Sequence, residues 1–121
     1  MLTFEEAQET LEQQMDDLPQ EIFKGLNLGV TLLPDTLYSS NGLLILGRYH
    51  VDPRGLGRYI TINYGSLVAA HGHQSPDFFR EKLRSVLHHE LTHHLEHLAG
   101  DRTLEKQDAY DVRRMLHGFQ K

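Results

Sequence analysis

Residues 75–100 read SPDFFREKLRSVLHHELTHHLEHLAG, and this stretch predicts a single long helix. Ser75 is a typical N-cap, and Pro76 is well suited to the first helical turn because its missing N–H has no helical partner there. Gly100 favours helix termination directly after Ala99. We therefore expect a helix that begins at Ser75 and ends at about Ala99.

Apolar side chains recur along this stretch at helical spacing. At 100° per residue they define one face, which comprises Phe79, Leu83, Val86, Leu87 and Leu98. Glu90 points into that face, whereas His89 and His93 lie on one flank of it. An unpaired buried carboxylate is costly, so Glu90 requires a partner such as a metal-bound water.

The same helix contains one H-E-x-x-H motif, from His89 to His93. Four-residue spacing stacks the two imidazoles on one helical face. Zn²⁺ binds neutral imidazole nitrogen, and catalytic zinc sites keep one position open for water. The motif therefore predicts a catalytic zinc site with His89 and His93 as ligands and Glu90 as general base. The alternative is a polar, histidine-rich helix that holds no metal, formed by His88, His89, His93, His94 and His97.

A zinc site of this type needs a third protein ligand after the motif, and the sequence offers Glu96, Asp101, Glu105 and Asp108. A final helix is expected from about Thr103 to His117, with Asp108 near the centre of its apolar arc. If this helix folds back about Gly100, Asp108 lies nearly level with His93, given a rise of ~1.5 Å per residue. We therefore predict Asp108 as the third ligand.

The other acidic residues rank lower than Asp108. Glu105 lies on the rim of the same arc and is the second choice, Glu96 lies on the outward side, and Asp101 lies too near the turn. The alternative roles of Asp108 are a helix cap and a buried salt bridge to Arg113 or Arg84.

The rest of the chain alternates helical and strand patterns. The expected elements are a helix from Phe4 to Asp17, a short helix after Pro19, strands Val30–Leu33, Leu43–Tyr49 and Arg58–Tyr64, and a short helix Ser66–Ala70. The last two strands are expected to form an antiparallel hairpin, with Leu43–Tyr49 buried on both faces. Together these elements predict an α+β fold.

Composition limits the possible functions. With 121 residues the chain is expected to form one domain, residues 1–121. Twelve Lys and Arg oppose 17 Asp and Glu, and no basic run is present, so nucleic acid is a poor partner. No apolar stretch approaches the ~20 residues that cross a bilayer, and we expect no membrane partner and a cytoplasmic location. Because the chain has no cysteine, any metal must be held by His, Asp or Glu.

Three sets of residues outside the long helix also need an interpretation. His50, next to Tyr49, is placed to contact a substrate or its oxyanion, but the favoured interpretation is a strand-end residue that bonds to backbone. Tyr49, Tyr59 and Tyr64 are expected to pack on the sheet. His71 and His73 are expected to be exposed to solvent.

Several segments resemble one known family over nearly the whole chain. They are Leu46–His50, Gly57–Ile60, Asn63–Ser66 and, above all, His88–Glu96 followed by Ala99–Gly100. The sequence is similar to the small bacterial zincin-like metallopeptidases of the minimal matrix-metalloprotease-like type.

This resemblance implies a zincin-like α+β fold, with a small three-stranded mixed sheet packed against the long helix and flanking helices. It also implies Zn²⁺ held by His89 and His93, with Glu90 as catalytic base. The chain departs from the extended zincin motif, since Glu96 replaces its glycine and Ala99 stands at its third-ligand position.

The predicted activity is zinc-dependent hydrolysis of a peptide or protein substrate. The first alternative is a zincin-fold module that binds metal for a regulatory role without turnover. A metal-dependent hydrolase acting on RNA is disfavoured because the chain is acidic and has no basic groove.

Overall fold

The protein is described by a computed structural model that covers residues 1–54, 56–100 and Arg114. Its elements in chain order are α1 (Phe4–Asp16), a 3₁₀ helix (Gln20–Phe23), β1 (Val30–Leu33), β2 (Gly47–Val51), β3 (Arg58–Asn63), α2 (Tyr64–His71) and α3 (Pro76–Ala99). This is the α+β arrangement that the sequence predicts. The expected helix from Thr103 to His117 lies outside the described residues.

The sheet is small and mixed. Its three strands have the order β1-β3-β2, so β3 is central. β1 runs parallel to β3 with Val30 opposite Ile60, and β2 runs antiparallel with Tyr49 opposite the same Ile60. The predicted hairpin of β2 and β3 is thus confirmed, and among the described strands β2 lies at one edge of the sheet.

Helix α3 begins and ends where its local signals predict. The Ser75 hydroxyl accepts a hydrogen bond from the Phe78 N–H at 3.1 Å, and Gly100 is the C-cap. The predicted apolar face is buried, and it packs in one core cluster with Ile60 and Ile62 of β3. Packing on the sheet therefore fixes which face of α3 remains open to solvent.

The predicted strand from Leu43 to Tyr49 begins too early. β2 starts at Gly47, and Leu43 is 65% exposed rather than buried. The residues before Gly47 form a small hairpin of their own, in which the Ser39 N–H donates to the Leu43 carbonyl at 2.8 Å. Gly42 closes its turn with a φ of +82°, a value that favours glycine.

The chain's first helix packs against α3 and covers one end of the core. Thr3 and Glu6 form a capping box at its start, and Ala7 and Leu11 are fully buried. Among the described residues, no helix is long and apolar enough to cross a membrane.

Candidate metal centre

His89 and His93 come together on the open side of α3. Their Nε2 atoms lie 3.1 Å apart, the ring centroids are 4.6 Å apart, and both side chains are exposed. Two tetrahedral zinc ligands with Zn–N bonds of ~2.0 to 2.1 Å have donor atoms about 3.3 to 3.4 Å apart. The separation of 3.1 Å is that of a hydrogen bond between the two imidazoles, and it is also close to the separation of two ligands of one small ion.

Glu90 lies between these histidines in sequence but turns toward the sheet. It is 6% exposed, and burial raises the pKa of its carboxyl above the ordinary value. His89 and His93 oppose this shift through their charge, and a hydrogen bond from the Tyr49 backbone opposes it further. Glu90 therefore lies next to β2 and in the same cleft as the histidine pair.

Gly47 allows β2 to approach α3 this closely. A Cβ atom at this position would lie 2.6 Å from Cγ1 of Val86 and 3.3 Å from Cγ of Glu90. The first distance is shorter than any normal carbon–carbon contact, so a side chain here would push the strand away from the helix. Gly47 is not among the site residues that the sequence predicts.

An open cleft of about 650 Å³ lies between β2 and α3. Its lining residues are Gly47, Arg48, Tyr49, Val51, His89, Glu90, His93, Glu96 and His97. The motif residues therefore face a space large enough for a substrate segment, instead of being covered by the sheet.

His94 is fully buried next to this cleft. Its Nε2 lies 2.8 Å from the carbonyl oxygen of Lys24, and its Nδ1 lies 2.8 Å from the Tyr49 hydroxyl. Because a carbonyl only accepts, Nε2 carries the proton and the Tyr49 hydroxyl donates to Nδ1. Burial lowers the pKa of His94, which favours this neutral form, and burial raises the pKa of Tyr49 to about 12.

The role of His94 has a signal in the sequence. It lies four residues after Glu90 and four before Leu98, on the same apolar face of α3. Tyr49, expected only to pack on the sheet, also lines the cleft and holds His94.

Comparison with known proteins finds a related solved structure. No family model and no curated protein matches the chain. A structure described as a conserved hypothetical protein from Thermo thermophilus is 30% identical, with a TM-score of 0.69. The alignment covers 81% of this chain and 98% of that one.

The chain belongs to the same family as that protein. Since the likeness extends over most of both chains, the two proteins share the α+β fold.

The described residues of the chain supply no third protein ligand for a metal ion. In residues 1–54, 56–100 and Arg114, no three His, Cys, Asp or Glu side chains converge as a metal site would require. Glu96 is exposed and lines the cleft. Asp101, Glu105 and Asp108 lie outside the described residues, so Asp108 remains a prediction.

The histidines predicted outside α3 lie away from the histidine pair. His50 is on the far face of the sheet, where its Nε2 lies 2.9 Å from the Thr61 hydroxyl and its ring stacks on Tyr59 at 4.3 Å. The expected backbone partner of His50 is therefore wrong. His73 is exposed as predicted, whereas His71 is half-buried, since its ring packs against Phe78.

Proposed function

We propose that the protein is a zinc-dependent metallopeptidase, with His89 and His93 as metal ligands and Glu90 as general base. The observation that carries the proposal is the pair of Nε2 atoms 3.1 Å apart, in the same open cleft as a buried carboxyl group. Two imidazoles suit Zn²⁺, and the chain has no thiol to compete for it. Bound zinc supplies Lewis acidity, which polarises a carbonyl and makes a water acidic enough to attack near neutral pH.

Glu90 has the properties of a general base. A base works best when its pKa is near the operating pH, and burial moves the pKa of Glu90 in that direction. Glu90 lines the cleft, and the Tyr49 backbone N–H is a hydrogen-bond partner that favours its charged form. Glu90 takes a proton from the attacking water and returns it to the amine that leaves when the peptide bond breaks.

The peptide substrate is proposed from the position of β2. This strand is at the edge of the sheet, and within the described part of the chain no strand pairs with its outer side. An extended peptide can add to such an edge through main-chain hydrogen bonds. A peptide bound along β2 would lie beside the cleft that Gly47 and Glu90 line.

The third ligand is proposed to be Asp108, on the helix geometry given above, with Glu105 as the second choice. Either carboxylate would complete three protein ligands and leave the fourth position for water or substrate. The competing function is a module that binds metal without turnover.

The test begins with metal content. We would measure zinc by elemental analysis of protein purified without a histidine tag, as wild type and as His93→Ala, Asp108→Ala and His73→Ala. Near one zinc per chain in wild type and in His73→Ala, and its loss from the other two variants, are expected. His73 is the matched control because it is exposed and lies outside the cleft. Zinc retained by Asp108→Ala moves the third ligand to Glu105 or elsewhere.

Turnover is tested next on the zinc-loaded protein. Cleavage of a peptide mixture is expected for wild type and is expected to be lost in Glu90→Gln, which keeps the side-chain shape and the zinc. No zinc in wild type after reconstitution contradicts the proposal. Tight zinc binding with no Glu90-dependent cleavage supports the module without turnover.

A further inference from the structure

A fully buried histidine lies on the motif helix, directly beside the proposed reaction centre. His94 follows Glu90 by one helical turn, and both of its ring nitrogens have partners in the protein. One partner is the Tyr49 hydroxyl on β2, and the other is the carbonyl of Lys24, just after the 3₁₀ helix. A single buried ring therefore joins α3, β2 and the segment at Lys24, and it has no free nitrogen for a metal ion or a substrate.

The Tyr49 hydroxyl is committed to this histidine. Tyr49 lines the cleft, and its ring packs on that of His94 with centroids 5.3 Å apart. The hydroxyl donates to Nδ1 of His94, since Nε2 of the same imidazole donates to a carbonyl. A hydroxyl whose proton already bonds a buried acceptor has no proton to offer an oxyanion in the cleft. Its hydrogen bond therefore attaches the tyrosine to α3 and leaves the substrate to other groups.

Tyr49 contacts α3 at two positions that are one turn apart. Its hydroxyl bonds to His94, and its backbone N–H is a hydrogen-bond partner of the Glu90 carboxyl group. The strand is also close to Glu90 at Gly47, where a Cβ atom would lie 3.3 Å from Cγ of Glu90. A strand attached to two stacked positions of a helix cannot slide along that helix without breaking one of the contacts. The place of Glu90 relative to β2 is therefore coupled to the hydrogen bond at His94.

We propose that Tyr49 and His94 are positioning residues, which hold Glu90 in its working place beside the histidine pair of His89 and His93. The proposal rests on the proposed peptidase function. A general base must lie within hydrogen-bond reach of the proton that it takes. A misplacement of about 1 Å in such a site can cost on the order of 10²-fold in rate.

Two substitutions of His94 separate positioning from packing. In His94→Asn the side-chain oxygen takes the place of Nδ1 and accepts from Tyr49, but the bond to Lys24 is lost. In His94→Gln the side-chain amide nitrogen takes the place of Nε2 and donates to Lys24, but the Tyr49 hydroxyl has no acceptor. Each variant loses one of two buried hydrogen bonds, so both are expected to be destabilised. Only His94→Gln loses the bond that holds Tyr49.

Tyr49→Phe removes the same bond from the other side and keeps the aromatic ring. Its matched control is Tyr59→Phe, because Tyr59 lies on the neighbouring strand β3, stacks on His50 and does not line the cleft. The double variant Tyr49→Phe/His94→Gln tests whether the two residues act as one unit, since the effects of such residues do not add.

The experiment measures kcat and KM for a peptide that wild type cleaves, with full-length, zinc-loaded protein, and zinc content in parallel. Tyr49→Phe and His94→Gln are each expected to lower kcat by roughly 10-fold or more and to change KM by less than about 3-fold. The double variant is expected to lose no more than the more impaired single variant. His94→Asn and Tyr59→Phe are expected to keep kcat within about 3-fold of wild type. All variants are expected to keep their zinc.

The outcomes separate this inference from the proposed function. A wild-type kcat in Tyr49→Phe overturns the positioning role, even if both His94 variants fail to fold. Equal loss of kcat in His94→Asn and His94→Gln also overturns it, because His94 then serves packing alone. The absence of any Glu90-dependent cleavage by wild type overturns the proposed function and the positioning role together.

Discussion

The Tyr49 hydroxyl donates a hydrogen bond to Nδ1 of His94 across 2.8 Å, and so joins the edge strand β2 to the buried side of α3. The backbone of the same tyrosine bonds to Glu90, one turn earlier on the helix. Tyr49 therefore fixes the distance and the register between the strand and the helix that form the cleft. This link between β2 and α3 is made by the protein's own groups and needs no metal.

Removal of the Tyr49 hydroxyl tests how much this link between β2 and α3 stabilises the protein. Tyr49→Phe leaves Nδ1 of His94 buried without a donor, and such an unsatisfied group costs about 1–3 kcal/mol. The expected result is a fall of that size in the free energy of unfolding, measured by chemical denaturation of the metal-free protein. Tyr38→Phe is the control, since Tyr38 is 60% exposed and its substitution is expected to change stability by less than about 0.5 kcal/mol. Equal effects of the two variants would contradict the assignment.

A methyl group at Gly47 is expected to separate β2 from α3. The Cβ atom of Gly47→Ala would lie 2.6 Å from Cγ1 of Val86, and overpacking of this kind costs typically about 1–3 kcal/mol. Both stability and any Glu90-dependent activity are expected to fall, as measured by denaturation and by peptide cleavage. In Gly100→Ala the nearest atom is 3.6 Å away, so this control is expected to be tolerated. Wild-type stability in Gly47→Ala would show that the approach is not as tight as described.

The N-terminus of α3 is capped by one hydrogen bond, which the Phe78 N–H donates to the Ser75 hydroxyl. Ser75→Ala removes the acceptor of the Phe78 N–H, and loss of such a cap costs typically about 1 kcal/mol. The expected result is a lower free energy of unfolding by that amount, measured by urea denaturation. Ser85→Ala, in the exposed interior of the same helix, is expected to be neutral or slightly stabilising. If Ser75→Ala were as stable as wild type, packing alone would determine where α3 begins.

Helix α3 could be predicted to the residue because its signals are local. The cap, the first-turn proline, the apolar period and the terminal glycine all lie within residues 75–100. The burial of Glu90 follows from the same period, since its position falls among the apolar residues of one face.

The start of β2 and the contacts of Tyr49 could not be predicted in this way. Leu43 belongs to an apolar run, but whether that run pairs with β3 depends on a turn at Gly42 and on bonds from Asn63. The need for glycine at position 47 arises only where the strand meets α3, some forty residues later in the chain. Such long-range contacts leave no local pattern, and the third ligand is a problem of the same kind.

The burial of Glu90 makes the free energy of unfolding of the metal-free protein depend on pH. Burial raises the pKa of Glu90 above the ordinary value of 4.5, so the folded metal-free protein holds this proton more tightly than the unfolded chain does. The stabilising contribution of the protonated Glu90 carboxyl group is therefore fully present below about pH 4.5. It is lost as the pH rises through the raised pKa of the folded state. Each unit by which the pKa is raised corresponds to about 1.4 kcal/mol.

Glu90→Gln removes this titration while keeping an acceptor for the Tyr49 backbone. The metal-free variant is expected to gain stability over wild type as the pH rises from about 4.5, and the gain is expected to level off above the folded pKa. Urea denaturation in the presence of a chelator, over a series of pH values, measures the difference. Glu96→Gln is the control, because its exposed carboxylate remains solvated in both states. A difference between Glu90→Gln and wild type that does not vary with pH would mean that the carboxyl is not desolvated, and Glu90 would then lack the property that favours it as a base.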